Sequence, residues 1–314
     1  MISFVGAGPG DIELLSLKGK RRLEEADIVI YDRLVNPLLL HFCQKKCKFI
    51  YVGKTPYQKS MKQETINQIL IEAQINYKNV VRLKGGDPEI FGRLTEELET
   101  VSSNHFLFEI IPGITSASGT AAYNGIPLTE REQARSVTFM TGHFKNDQVS
   151  HFPVLGTEQT LCLYMGTEAL KKFIPHLFEL DFGPETKIAV ISWGTYGRQK
   201  KVTGNLATIL SLIEVEKIVN PAMILVGEVV AREQEFNWFE KLSLYGKKYL
   251  LVSTRSPKIT ELIYYTEQGA DIWWHQVGEK RDRRFDEISD RYLAEQTFEE
   301  IIFIEEEAKK IFQG

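Results

Sequence analysis

The stretch Ile2-Ser3-Phe4-Val5-Gly6-Ala7-Gly8-Pro9-Gly10-Asp11 decides the fold: a short apolar run enters a glycine-rich turn, and an amphipathic segment, Leu14 to Ala26, follows. Glycines in such a turn accept positive φ and let a ligand approach the backbone, while the helix start beyond offers free N–H donors. A dinucleotide fingerprint would need a third glycine where Asp11 stands. Pro9 removes one N–H from the turn, and a carboxylate at that place repels a pyrophosphate. The turn is therefore shaped for a different ligand or for structure alone. The alternation continues through DIVIYD, the polar helix-like segment Met61 to Ile75 and NVVRLKGGDP, a βαβ rhythm that makes this part α/β.

After EIIPG the pattern changes. SVTFMTGH, TLCLYMG, KIAVIS and AMILVGEVV are strand candidates, with helices at Glu168 to Leu180 and Leu206 to Val215, which predicts a second α/β unit with a mixed sheet. A boundary at Pro112-Gly113 and the polar segment REQEFNWFEKL, ending at Leu242, give predicted domains 1–113 and 114–242. A small α/β extension, 245–314, restarts the rhythm with YLLVSTR, a helix from Lys258 to Gln268, a Gly-Ala step, IWWHQV and EEIIFIE. The charge run Glu279 to Arg284 reads as a solvated loop.

The 314 residues, 43% hydrophobic and 25% charged, exclude disorder and collagen-like repeats. A net charge of −4 gives no global field for nucleic acid or an acidic membrane, so an anionic partner must meet local cations. Cys43, Cys47 and Cys162 fit neither a disulfide framework nor a zinc ribbon, which predicts a reducing compartment and no metal centre. The first apolar run stops at a glycine, unlike a signal peptide, and the uncharged stretch Ile110 to Thr129 contains Pro112 and Pro127, unlike a membrane helix. A cytoplasmic protein is expected.

Four places offer chemistry. Asp32 and Lys54 follow strand candidates, where open α/β sheets gather ligands, and read either as an acid–base pair or as a salt bridge. Lys84-Gly85-Gly86-Asp87-Pro88-Glu89-Ile90 is a rigid turn able to show peptide groups to a ligand. Thr115 and Ser116 sit at a helix entry as contacts or as its N-cap. Met165, Gly194 and Ala222 lie at later strand ends or entries, individually weak signals; His143 is a lone loop histidine.

In this order and spacing, GAGPGD, ADIVIYDRLV, VGK, VRLKGGDPEIFGR, IIPGITSASGTAAYNGIPLT, TGH, YMG, WGT and PAMILVGEVV resemble the uroporphyrinogen-III C-methyltransferase family across residues 1 to about 242. The resemblance implies a two-domain α/β tetrapyrrole methyltransferase fold with S-adenosyl-L-methionine in the inter-domain cleft. It implies cofactor contacts from Pro9, Gly85, Gly86, Asp87, Ile90, Thr115, Ser116, Met165, Gly194 and Ala222, with Asp32 as proton acceptor and Lys54 as proton donor. The implied activity is two successive C-methylations of uroporphyrinogen III to precorrin-2, feeding sirohaem or cobalamin synthesis, by a homodimer. The alternatives are a later precorrin methyltransferase or a non-catalytic tetrapyrrole-binding module.

Because the substrate carries many carboxylates, cationic contacts are expected from among Arg22, Lys59, Arg131 and Arg135. The chain departs from the family at Glu89 (usually Phe), Leu94 (usually Gly), and Lys59 and Glu130 (commonly His); Glu130 would oppose a polyanionic substrate. The extension, through Gly246-Lys247-Lys248-Tyr249-Leu250-Leu251-Val252-Ser253-Thr254-Arg255 and Gly269-Ala270, resembles the beginning of uroporphyrinogen-III synthase. A synthase needs two domains around its substrate and the likeness covers about a third of one, so no synthase activity is expected.

Overall fold

The computed structural model describes residues 1–53, 61–142 and 156–313. They form two compact units, one of Met1–Thr115 with Ser243–Gly314, the other of Ser116–Leu242.

In the first unit, β1 (Ile2–Gly6), β2 (Ile28–Tyr31), β3 (Lys48–Tyr51), β4 (Val80–Lys84) and β5 (Phe108–Ile111) form a sheet in the order β3-β2-β4-β1-β5. Every pairing is parallel. Helices α1 (Leu17–Glu25), α2 (Gln63–Asn76) and α3 (Leu94–Ser103) provide crossovers. Ser16 caps α1 by accepting from the Gly19 N–H at 3.1 Å. Ile2, Phe4, Ile28, Ile30 and Val80 face Ile66 and Leu70 of α2 and Leu94 and Val101 of α3. Val5, Val29, Tyr31, Val81 and Leu83 pack with Leu23 of α1 on the other face. Cover on both faces explains why these strands read as apolar runs instead of alternating. Since all five strands run the same way, Gly6, Asp32, Gly53, Gly85 and Gly113 leave the sheet at one edge.

The edge strand β5 is fastened by charge. Glu109 accepts from Ser3 Oγ at 2.9 Å and from Arg22 Nε, and it pairs with Lys18 at 2.7 Å. The Arg22 hydrogen bond is the main reason its carboxyl lies at about 2, below the ordinary 4.5. A depressed carboxyl stabilises the fold above its unfolded value and loses that contribution as pH falls through the folded one. Glu109→Gln is thus expected to cost about 1 kcal/mol at pH 7 after solvent screening. Thermal unfolding from pH 7 to 2 should show the gap to wild type closing below pH 4.5.

The second unit begins with α4 (Ser116–Tyr123) and contains β6 (Ser136–Thr141), β7 (Gln159–Tyr164), α5 (Leu170–Glu179), β8 (Lys187–Ser192), β9 (Lys200–Asn205), α6 (Ile209–Val215), β10 (Ala222–Val226) and the short α7 (Glu233–Phe236). Its sheet has the order β6-β7-β10-β8-β9. Only β6 and β7 pair in parallel; β10 is antiparallel to β7 and β8, and β8 to β9, which is the mixed sheet expected. Leu170, Phe173, Ile174 and Leu177 of α5 and Ile209 of α6 close its core over Leu161, Leu163, Ile188, Val190 and Ile224.

The chain then returns to the first unit. There β11 (Lys248–Ser253), β12 (Asp271–Gln276) and β13 (Glu300–Phe303) make a parallel sheet in the order β12-β11-β13, joined by α8 (Ile259–Thr266) and α9 (Asp286–Glu295) and followed by α10 (Glu306–Gln313). Leu250, Leu251, Val252, Trp273, Trp274 and Phe285 belong to the same buried cluster as Leu23, Leu38, Leu39 and Leu40. The His41 ring stacks on Phe285 at 4.1 Å and 10°. Arg284 donates to the carbonyls of Gln44 (2.7 Å) and Cys47 (3.0 Å), lies 4.6 Å over the Phe49 ring and is gripped by both oxygens of Asp282. The segment read from its rhythm as a small extension thus shares the core of the N-terminal residues. Part of the charge run expected to be solvated, through Arg284, supplies the clamp.

Candidate active site

At the ligand edge of the first sheet, three loops meet backbone to backbone. Gly8 N–H donates to Gly86 O at 3.2 Å, Gly86 N–H returns to Gly8 O at 2.7 Å, and both glycines have positive φ, 74° and 68°. A Cβ on Gly6 would lie 2.5 Å from Gly113 Cα, and one on Gly113 would lie 2.3 Å from Gly86 O. No other residue type permits that approach. Asp87 ties the set together: Oδ1 accepts from Glu89 N–H at 2.8 Å and Oδ2 from Gly113 N–H at 3.1 Å. Gly10 O accepts from Asn36 Nδ2 at 2.8 Å, which fixes the turn after Pro9. Asp11 caps the next 3-10 turn through Glu13 N–H at 2.9 Å, a structural use for the residue that breaks the dinucleotide fingerprint.

Asp32 follows β2 at the same edge. Its Oδ1 accepts from Leu34 N–H at 3.2 Å, and its Oδ2 lies 3.6 Å from the Arg82 guanidinium. Gly85, Gly86, Asp87 and Ile90 follow β4, the neighbour of β2, so the structure brings these expected residues to one place. Thr115 is the last residue of this unit's first segment. Exposed apolar side chains surround them: Leu34, Phe91 and Ile114. Lys54, Lys59 and His143 lie outside the described residues.

The second unit gathers its candidates by antiparallel pairing. Ala222, the first residue of β10, sits opposite Ser192, the last of β8, and Met223 sits opposite Tyr164, the last of β7. Met165 and Gly194, which follow Tyr164 and Trp193, therefore emerge at the same sheet edge as Ala222. Met165 is 46% exposed at φ 54°, presented instead of packed as core filler. A Cβ on Gly194 would lie 2.1 Å from Thr120 Oγ1 of α4, the helix that Ser116 begins. The loop after Gly194 is fixed by a buried amide pair: Gln199 Oε1 accepts from Thr195 N–H at 3.1 Å, and Gln199 Nε2 donates to Asn124 Oδ1 at 3.1 Å.

The expected cations fare differently. Arg22 is held by Glu109 and Glu25, and Glu109 stands opposite Ser3, three residues before the glycine turn. Arg131 is exposed; Arg135, also exposed, lies 3.8 Å from Glu158. Glu130 is not an open negative charge, because Arg232 Nε and Nη2 both donate to it, at 3.1 and 2.5 Å, and hold its carboxyl below the usual range.

Sequence reasoning missed a buried ionic group. Arg82 and Lys84 point from β4 to the α3 face, where Glu97 receives Arg82 Nε at 3.1 Å and Lys84 Nζ at 3.0 Å. Two charged residues in a strand flanked on both sides, alternating with Val81 and Leu83, were the available signal, since unpaired charges are not buried. Among the described residues, no group of three or more His, Cys, Asp or Glu is placed to hold a metal ion, and no helix is long and apolar enough to cross a membrane.

Glycine-lined turns, exposed apolar side chains and carboxylates at the strand ends define a class, a two-unit α/β protein whose first unit is a parallel sheet and whose second is a mixed one. The chain belongs to the tetrapyrrole (corrin/porphyrin) methylases, whose family description matches residues 1–210. It is 41% identical over 278 residues to a uroporphyrinogen-III C-methyltransferase of Bacillus subtilis (strain 168), covering 87% of this chain and 57% of that protein. It therefore spans little more than half the length of that relative. With a uroporphyrinogen-III C-methyltransferase of Priestia megaterium it shares 44% identity over 232 residues, 73% of this chain and 98% of the relative. Among solved structures, uroporphyrin-III C-methyl transferase from Thermus thermophilus complexed with S-adenyl homocysteine is similar at a TM-score of 0.61 and 32% identity, over 73% of this chain and 98% of that one.

Proposed function

We propose that this chain transfers methyl groups from S-adenosyl-L-methionine to ring carbons of uroporphyrinogen III, twice in succession, giving precorrin-2. The observation that carries the reading is the 44% identity over nearly the whole of a relative with that name. The local chemistry agrees. Three glycine backbones pack directly on one another and bring the loops after β1, β4 and β5 together, exposed Leu34, Phe91 and Ile114 offer apolar contact, and the carboxylates Asp11 and Asp87 disfavour a phosphate.

Bound there, the cofactor supplies an electrophilic methyl group on a sulfonium. Pro9, Gly85, Gly86, Asp87, Ile90 and Thr115 of the first unit, and Ser116, Met165, Gly194 and Ala222 of the second, are the proposed contacts. Their task is to hold the reacting atoms close and aligned, which a carbon nucleophile needs more than it needs a nucleophilic side chain. Each transfer adds a methyl cation to a ring carbon that is already substituted and carries no hydrogen, so the compensating proton leaves from elsewhere on the macrocycle; Asp32 is its proposed acceptor, and Lys54 is the proposed donor. Arg131 and Arg135 are the proposed partners for substrate carboxylates. The family resemblance also supports a cytoplasmic homodimer.

For the extension we propose a structural role without synthase activity. At the end of β11, Arg255 is committed to Glu261 at 2.8 and 2.6 Å, and Glu305 accepts from Ser253 Oγ and Thr254 N–H. The end of β11 is occupied by its own side-chain pairs.

The deciding experiment is an anaerobic incubation of the protein with uroporphyrinogen III and methyl-labelled cofactor, followed by product mass. Two methyl additions are expected. Cofactor binding without transfer to this substrate would turn attention to later precorrins, and failure with those would leave a non-catalytic tetrapyrrole-binding module.

A further inference from the structure

Arg82, Lys84 and Glu97 are 3, 4 and 1% exposed, so two cations and one anion are buried between β4 and α3. Burying an ion without compensation costs several kcal/mol, and a single carboxylate shared by two cations leaves one positive charge over. Among the described residues, the salt bridges to Arg82 and Lys84 come only from Glu97 and from Asp32, which faces Arg82 at 3.6 Å. Asp32 is thus the fourth charge that brings the group to neutrality, and it is the member with a solvent-facing side, at 29% side-chain exposure.

The guanidinium is held on several sides. Arg82 Nε donates to Glu97 Oε1, and Nη1 donates to Leu83 O at 3.2 Å and Ile30 O at 3.5 Å, which leaves Nη2 directed between Glu97 and Asp32. Gln63 of α2 adds a 3.5 Å donation to Glu97. Burial pushes the Lys84 ammonium below its ordinary value, Arg82 adds to this, and Glu97 and Asp32 oppose it. Among the described residues, the other charged or titratable groups near Asp32 are Arg33 beside it and Tyr51 of β3, over whose ring Arg291 of α9 lies at 4.1 Å, with Glu295 beyond.

We propose that Glu97 and Lys84 are positioning residues for Asp32: acting through Arg82, they hold its carboxylate in place and set the charge against which it accepts a proton. This rests on the reading of Asp32 as the proton acceptor. Neither residue touches substrate. Removing Lys84's charge leaves the group one negative in excess and makes a proton on Asp32 easier to accept. Removing Glu97's charge does the reverse.

The test reads the carboxyl itself. In protein labelled with carbon-13 at aspartate carboxyls, the Asp32 resonance is identified by its loss in Asp32→Asn, then titrated in wild type, Lys84→Met and Glu97→Gln. Lys84→Met is expected to move the Asp32 midpoint up, and Glu97→Gln to move it down, each by about half a pH unit or more. Glu97→Gln strands two buried cations and is the variant at risk of misfolding; Lys84→Met keeps the Arg82–Glu97 pair and carries the test alone if needed. An unchanged Asp32 midpoint in Lys84→Met, or a downward one, overturns the proposal. The titration needs no turnover, so a wild-type protein that fails to methylate uroporphyrinogen III refutes the proposed reaction and leaves the carboxyl result standing.

Discussion

A chain ending at Leu242 is expected to unfold at a temperature at least about 10 °C below that of the full chain, or to be recovered only as aggregate. The cut uncovers one side of the cluster that includes Leu23, Leu38, Leu39 and Leu40, and removes Trp273, Trp274, Phe285 and Ile288 from it. Fully burying such a side chain is worth about 1.5–3 kcal/mol, against a total stability of about 5–15 kcal/mol for a domain. Losing the equivalent of two of them, about 4 kcal/mol, corresponds to roughly 10 °C in a unit of this size. The family fold does not itself demand the extension, since the Priestia megaterium relative is matched over 98% of its length by 232 residues. What commits this chain is local. Among the described residues, the enclosed His41 Nε2 has no hydrogen-bond partner, burial pushes the ring down to about 3, and its neutral face stacks on Phe285. Without the extension, that ring, Phe49 and the carbonyls of Gln44 and Cys47 face water. Calorimetry of the two chains decides; equal melting temperatures would show the extension to be ornamental.

Asp32→Asn is expected to slow methyl transfer by about 10²–10⁴-fold, the usual contribution of a positioned acid or base. The substitution is isosteric and can keep the hydrogen bond from Leu34 N–H. It removes both the proton-accepting oxygen and the anion facing Arg82. Cofactor affinity by calorimetry should stay within about twofold, because the proposed cofactor contacts lie on other loops. A rate within threefold of wild type would take Asp32 out of proton transfer, whereas a parallel collapse of cofactor binding would make it a binding residue.

Much of this architecture was legible because apolar runs, glycine turns and amphipathic stretches are local signals. The parallel half, the mixed half and the glycine loops all follow from windows of a few residues. β9 did not announce itself: Lys200–Asn205 reads KKVTGN, with only Val202 buried, because an edge strand needs one apolar contact and hydrogen bonds from β8. α9 was hidden for a related reason, since DEISDRYLAE is mostly polar and buries only Ile288 and Ser289. Charge pairing was the least legible. Arg22 looks like an available cation until Glu109, 87 residues away, takes it, and Glu130 looks repulsive until Arg232 arrives from 102 residues away. The Arg82–Glu97–Lys84 group spans a strand and a helix, so no single periodicity reports it.

The division of the chain has a consequence for how the protein is made. Residues 116–242 are inserted between two segments of one compact unit. On the ribosome, at about 5–20 residues per second, the stretch from Ser116 to the end takes tens of seconds to emerge. Throughout that time the N-terminal strands lack the tryptophans and Phe285 that complete their core. The inserted unit has all its strands available first and is free to fold while its host waits. For most of its synthesis a nascent chain of this design keeps Leu38, Leu39 and Leu40 without the later-made part of their cluster, so the host unit closes its core last.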